Sequence, residues 1–146
     1  MTKSVERYVW LSRYVPLLLW IGVIFFLSST QGSMSETSRI IRPILEFLFP
    51  DATPETIGFY HAIIRKFAHF AEYAVLALLA FRALVRSRFQ DRPFVASILL
   101  AGVIAVIDET GQSFNAERTG SAGDVLIDVA GACFATAVLW IAGKRP

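Results

Sequence analysis

Four apolar stretches, each near the length that crosses a bilayer, divide this chain, and the carboxylates close to them gather at one end of each stretch. A hydrocarbon core of about 30 Å takes about 20 apolar residues as a helix. The spacing predicts spans at about 9–28, 67–84, 94–112 and 125–142. An ionisable group at membrane depth costs about 2.5 to 3.5 kcal/mol on insertion scales. Several of them converging on one level therefore imply an enclosed polar site.

Composition agrees with a bilayer as solvent: the 146 residues are 55% hydrophobic, and the mean hydropathy is +0.54. The expected fold class is all-α, a single integral membrane domain over residues 1–146. It comprises four transmembrane helices and an amphipathic segment in the first outer loop. No basic stripe marks a nucleic-acid partner, and membrane lipids are the expected surroundings. The lone cysteine, Cys133, lies among Gly131, Ala132 and Ala135 and reads as a small packing residue. Lys3, Arg7 and Arg13 before an apolar run also fit a signal peptide, but no small-x-small cleavage site follows, so an uncleaved span is expected.

Between residues 29 and 66 the chain carries Pro43, Pro50 and Pro54 and is too interrupted for another span. Ile40, Ile41, Ile44, Leu45, Leu48 and Phe49 nonetheless recur at helical spacing, with Thr37 or Ser38 as candidate caps. The pattern predicts a short helix, either lying on the bilayer surface or packed on the bundle. His61 matches no pattern and reads as a loop residue. In the third span the polar continuation through Asp108, Glu109 and Gln112 stays helical only if shielded inside the protein.

Charge is distributed unevenly between the two sides. One side carries nine basic and two acidic residues, the other five basic and ten acidic. Basic residues in short loops mark the cytoplasmic side. Both termini are thus expected in the cytoplasm of a bacterial inner membrane, with the polar site facing outward.

His69 and Glu72 share one helical face, as do Asp108 with Gln112 and Asp124 with Asp128. His69 is within reach of Glu72, either as a satisfied pair whose imidazole the carboxylate orients or as a general acid or base near neutral pH. Asp128, one turn deeper than a capping position, needs a partner, and Arg118 is the expected one. Ser121 and Asp124 fit a capping box at the start of the fourth span. Gly131 and Ala135 form a small-xxx-small face for a close helix neighbour. Arg65 and Lys66 fit snorkelling to headgroup phosphate, and Ser28 and Ser29 fit back-bonding at a helix end. Five acids facing one histidine and one arginine call for something positive: a shared proton, a divalent ion or a cationic ligand group. Carboxylates without cysteines favour magnesium or calcium, with zinc reachable through His69, although no established metal spacing is present. The cofactor is thus left open.

The runs H-F-A-E-Y at 69–73, D-E-T-G-Q at 108–112 and R-T-G-S-A-G-D-V-L-I-D at 118–128, with F-L-S-S-T-Q at 26–31, resemble the VanZ-like family of small bacterial membrane proteins. N-A-E-R at 115–118 departs from the apolar residue and proline more usual there. The resemblance implies an envelope role; the family is named for a member associated with low-level teicoplanin resistance, and its reaction is poorly defined. Family motif positions are Ser28, Ser29, Gln31, Lys66, His69, Glu72, Tyr73, Asp108, Glu109, Gln112, Arg118, Ser121, Asp124 and Asp128. Of these, His69, Glu72, Asp108, Glu109 and Asp128 are the candidates for chemistry, and the rest for substrate contact. The expected partner is a lipid-linked cell-wall intermediate or a lipoglycopeptide. No nucleophile motif stands out, so enzyme status stays open. A proton-coupled carrier using Asp108 and Asp128, or a non-catalytic assembly protein, are the alternatives.

Overall fold

Pro54 begins a helix rather than interrupting one. Thr53 accepts a hydrogen bond from the Thr56 amide (3.3 Å), and proline at the first helical position has no amide to leave unpaired. The helix then runs to Leu84, 31 residues, and so begins 13 residues before the span expected from residue 67. The computed structural model describes residues 3–29, 34–85, 92–114 and 121–143. Among them lie five helices: α1 (Lys3–Leu27), α2 (Met34–Leu48), α3 (Pro54–Leu84), α4 (Pro93–Ser113) and α5 (Ala122–Gly143). All except α2 are long and apolar enough to span a membrane, making this a multi-pass membrane protein.

Neighbouring spans alternate in direction, and α3 packs most closely on α5, with which it runs parallel. Phe70 on α3 meets Phe134 on α5, their ring centroids 5.6 Å apart. Gly131 explains the closeness: a Cβ there would fall 2.2 Å from the Phe70 carbonyl oxygen. The small-xxx-small reading therefore holds for α5. Buried alanines extend the small-residue packing through the core: Ala77 and Ala80 on α3, Ala101 and Ala105 on α4, and Ala132 on α5. Leu17 and Ile24 of α1 close the core against Tyr73 and Leu76.

At about 1.5 Å per residue α3 is roughly 46 Å long, some 16 Å more than a typical hydrocarbon core. Its N-terminal part carries α2. Leu45 and Ile57 are buried there, and His61 is a buried anchor, correcting its reading as a loop residue. Its Nε2 lies 3.1 Å from the Thr37 hydroxyl and its Nδ1 3.4 Å from that of Ser38. Helix α2 begins at Met34, so Thr37 and Ser38 are interior residues holding α2 to α3 instead of caps. The helix is thus packed on the bundle, yet Ile40, Ile44, Phe47 and Leu48 form an exposed apolar stripe on its other side. Cys133 is exposed on the outside of α5, not packed in a seam. The seam runs through Gly131, Ala132 and Ala135 and turns residue 133 away.

Candidate functional site

Fifteen residues separate His69 from Leu84, Pro93 from Asp108, and Asp128 from Gly143. At about 1.5 Å each, the three polar residues lie at one level, about 22 Å from the far ends of their helices. In a core of about 30 Å that level is about 8 Å below the nearer interface. The structure divides the polar residues there into two groups and a rim.

The first group centres on Asp108, which is buried. Its Oδ2 accepts from the Ser28 hydroxyl (2.7 Å), the Gln112 side-chain amide (3.1 Å) and the Tyr73 hydroxyl (3.4 Å). Gln112 also donates to Ser28 (3.3 Å). Ser28 is the first residue past α1, Tyr73 is wholly buried on α3, and Asp108 and Gln112 lie one turn apart on α4. One carboxylate oxygen thus joins three helices. Trp20 adds a bond that its sequence position does not announce, donating its indole N–H to the Glu72 carbonyl oxygen (2.9 Å).

The second group brings His69 of α3, Glu109 of α4 and Asp128 of α5 together. His69 Nδ1 lies 3.3 Å from Asp128 Oδ1. Asp128, on a different helix, is an ion-pair partner of His69. The expected partner, Arg118, lies outside the described residues, as does Gln31. Although close, the His69 and Asp128 atoms do not form a hydrogen bond: His69 Nδ1, both oxygens of Asp128 and Glu109 Oε1 are buried with no hydrogen-bond partner. Glu109 Oε2 accepts from the Ser121 backbone amide (2.9 Å). An unpaired carboxylate removed from water carries a penalty of several kcal/mol. Asp128 has the His69 ring beside it and Glu109 the Ser121 amide, so the arrangement buries both carboxylates with less than full compensation.

At the rim, Lys66 pairs with Asp124 at 2.8 Å. Its ammonium is met by a carboxylate of α5, and the half-exposed pair contributes no more than about 1 kcal/mol. The Ser121 hydroxyl accepts from the Asp124 amide (3.1 Å), the helix-capping half of the predicted box. Ser29 back-bonds to the Phe26 carbonyl (2.5 Å), as at many helix ends. Glu72 is half-buried and lines a cavity of about 210 Å³ with Leu27, Ser28, Ile64, Arg65 and His69. Larger grooves of about 500 and 310 Å³ are lined almost wholly by apolar side chains, as lipid-facing surfaces should be.

The VanZ/LLP1 family model matches residues 14–143, a range containing both groups and the rim. The chain belongs to the VanZ/LLP1 family. No curated protein and no solved structure matches it. Within this VanZ/LLP1 protein, the motif segments around His69, Asp108 and Asp128 meet at one depth, whereas Ser29 faces its own helix end.

Proposed function

We propose that this VanZ/LLP1 protein lies in the bacterial cytoplasmic membrane and binds an amphipathic molecule of the cell wall in its polar chamber. The favoured ligand is a lipid-linked cell-wall intermediate; a lipoglycopeptide has the same two-part character. The reading rests on the lining of the 210 Å³ cavity, where Leu27, Ile41, Ile64 and Ala68 face Arg65, His69 and Glu72. A hydrocarbon chain suits the first set, and a phosphate suits Arg65, whose guanidinium offers forked donors. The exposed stripe of α2 supports a position for that helix against the bilayer surface, beside the cavity mouth. A role in envelope maintenance, and in tolerance to glycopeptides such as teicoplanin, would follow from this binding.

Titration of the delipidated full-length protein with a polyprenyl diphosphate, read by native mass spectrometry, tests the ligand. Arg65→Ala should weaken binding about tenfold or more, the value of one charge-assisted hydrogen bond. Ala68→Trp should abolish it by filling the cavity. Equal binding by all three proteins, or no preference over ordinary phospholipid, refutes the reading.

The proposed orientation places both termini in the cytoplasm and the chamber outward, from the excess of basic residues on the other side. In a Cys133→Ala background, Asp51→Cys should react with an impermeant thiol reagent on intact cells, and Arg92→Cys should react only after lysis. Both positions are exposed, at opposite ends of the bundle. The reverse labelling would invert the topology.

A further inference from the structure

We propose that His69, Asp128 and Glu109 form a site for a divalent cation of the zinc or manganese class, cross-linking α3, α5 and α4 within the membrane. One donor atom from each lies within 4.8 Å of the other two. The shortest edge, His69 Nδ1 to Asp128 Oδ1, is 3.3 Å. That is about the edge of a tetrahedron built on bonds of 2.0–2.2 Å.

Several independent features separate this trio from an ordinary acidic cluster. Asp128 is fully buried and Glu109 nearly so, at 0% and 5% exposure, and their unpartnered oxygens are matched by an unpartnered ring nitrogen. His69 Nδ1 and Asp128 Oδ1 face each other at 3.3 Å, a spacing that also fits two groups directed at a third point between them. Glu109 is held for the purpose: the Ser121 amide engages Oε2 and leaves Oε1 for the cluster. Ligating carboxylates are commonly oriented by such an outer bond. Asp108, by contrast, offers its Oδ2 to Ser28, Tyr73 and Gln112.

The donor chemistry narrows the ion. Two carboxylates balance a double positive charge; the imidazole nitrogen suits zinc and the carboxylates suit manganese, whereas magnesium and calcium take oxygen ligands. Three protein ligands leave at least one coordination position for water or a ligand oxygen. His69 also lines the 210 Å³ cavity, so the cation would stand one side chain from it. The inference does not depend on which molecule that cavity binds.

Manganese(II) is the probe of choice, because its paramagnetic spectrum reports both occupancy and ligand identity. Chelator-treated full-length protein in detergent should bind about one Mn²⁺ per chain and show nitrogen modulation from a directly bound imidazole. His69→Gln should abolish that modulation and weaken binding by more than the roughly 10–100-fold typical of losing an outer-shell partner. Glu109→Gln provides a second ligand variant should Asp128→Asn not fold. Asp124→Asn, altering the rim pair with Lys66, should retain both signals. Absence of tight Mn²⁺ binding, or binding without nitrogen modulation, would overturn the proposal. These results read the ion alone, so failure here leaves the lipid titration unaffected, and the converse holds.

Discussion

Gly131→Ala should cause a large loss of stability although alanine is the better helix former by about 1 kcal/mol. The cause is the neighbouring backbone. The new Cβ would lie 2.2 Å from the Phe70 carbonyl oxygen and 3.0 Å from its carbon, and neither atom can swing aside as a side-chain tip would. Helices α3 and α5 must therefore separate by about an ångström or more, opening the seam that positions His69 against Asp128 and Lys66 against Asp124. Overpacking in a tight core costs about 1–3 kcal/mol, and a backbone contact of this kind belongs at or above the upper end. Thermal unfolding of the detergent-solubilised protein should show a clearly lowered midpoint. Gly102→Ala is the matched control: the nearest atom to its added Cβ is a Val129 methyl at 3.8 Å, an ordinary contact. That variant should be unchanged or slightly stabilised. Equal midpoints for the two variants would show that the α3–α5 approach is looser than described.

The spans, the common depth of the acids and the close-packing face around Gly131 were all legible in the sequence. Each rests on a periodicity or on a length set by the bilayer. Partner choice was not legible in the same way. Helical spacing places His69 and Glu72 on one face, but it carries no information about which residue of another helix fills the space opposite, and Asp128 does. Pro54 is ambiguous for a different reason: proline both breaks helices and starts them, and only the bond from the Thr56 amide to Thr53 decides between the two. The reach of α3 toward its N-terminus and the burial of His61 follow from that decision. Cys133 shows that small neighbours do not make a residue part of a seam; its angular position on α5 does. Family resemblance singles out Ser29 and Asp108 alike, whereas the coordinates give them unlike surroundings.

Asp108→Ala should be the most disruptive single change at the polar level, and it should act through architecture. Removing the carboxylate strands the Ser28 hydroxyl, the Gln112 amide and the Tyr73 hydroxyl, all in a buried setting. A buried donor left without its acceptor costs about 1–3 kcal/mol, more where the lost partner was charged, and Gln112 and Ser28 can recover part of this through each other. A net loss of about 3 kcal/mol is expected, a large share of a typical folding margin. Because Ser28 follows α1 directly, the first effect should be detachment of that helix, seen as faster proteolysis in the segment after Leu27 at temperatures where α3 to α5 remain helical. Asp108→Asn keeps one acceptor oxygen and should cost less. Tyr73→Phe removes only the longest of the three bonds and should fall within about 1 kcal/mol. A ranking in which Tyr73→Phe matches Asp108→Ala would mean that the Tyr73 hydroxyl, and not the bonds from Ser28 and Gln112, carries the junction. The two groups should also respond differently to loss of charge. Asp108→Asn should still anchor α1, whereas Asp128→Asn removes the charge that faces His69 and leaves the α1 junction untouched.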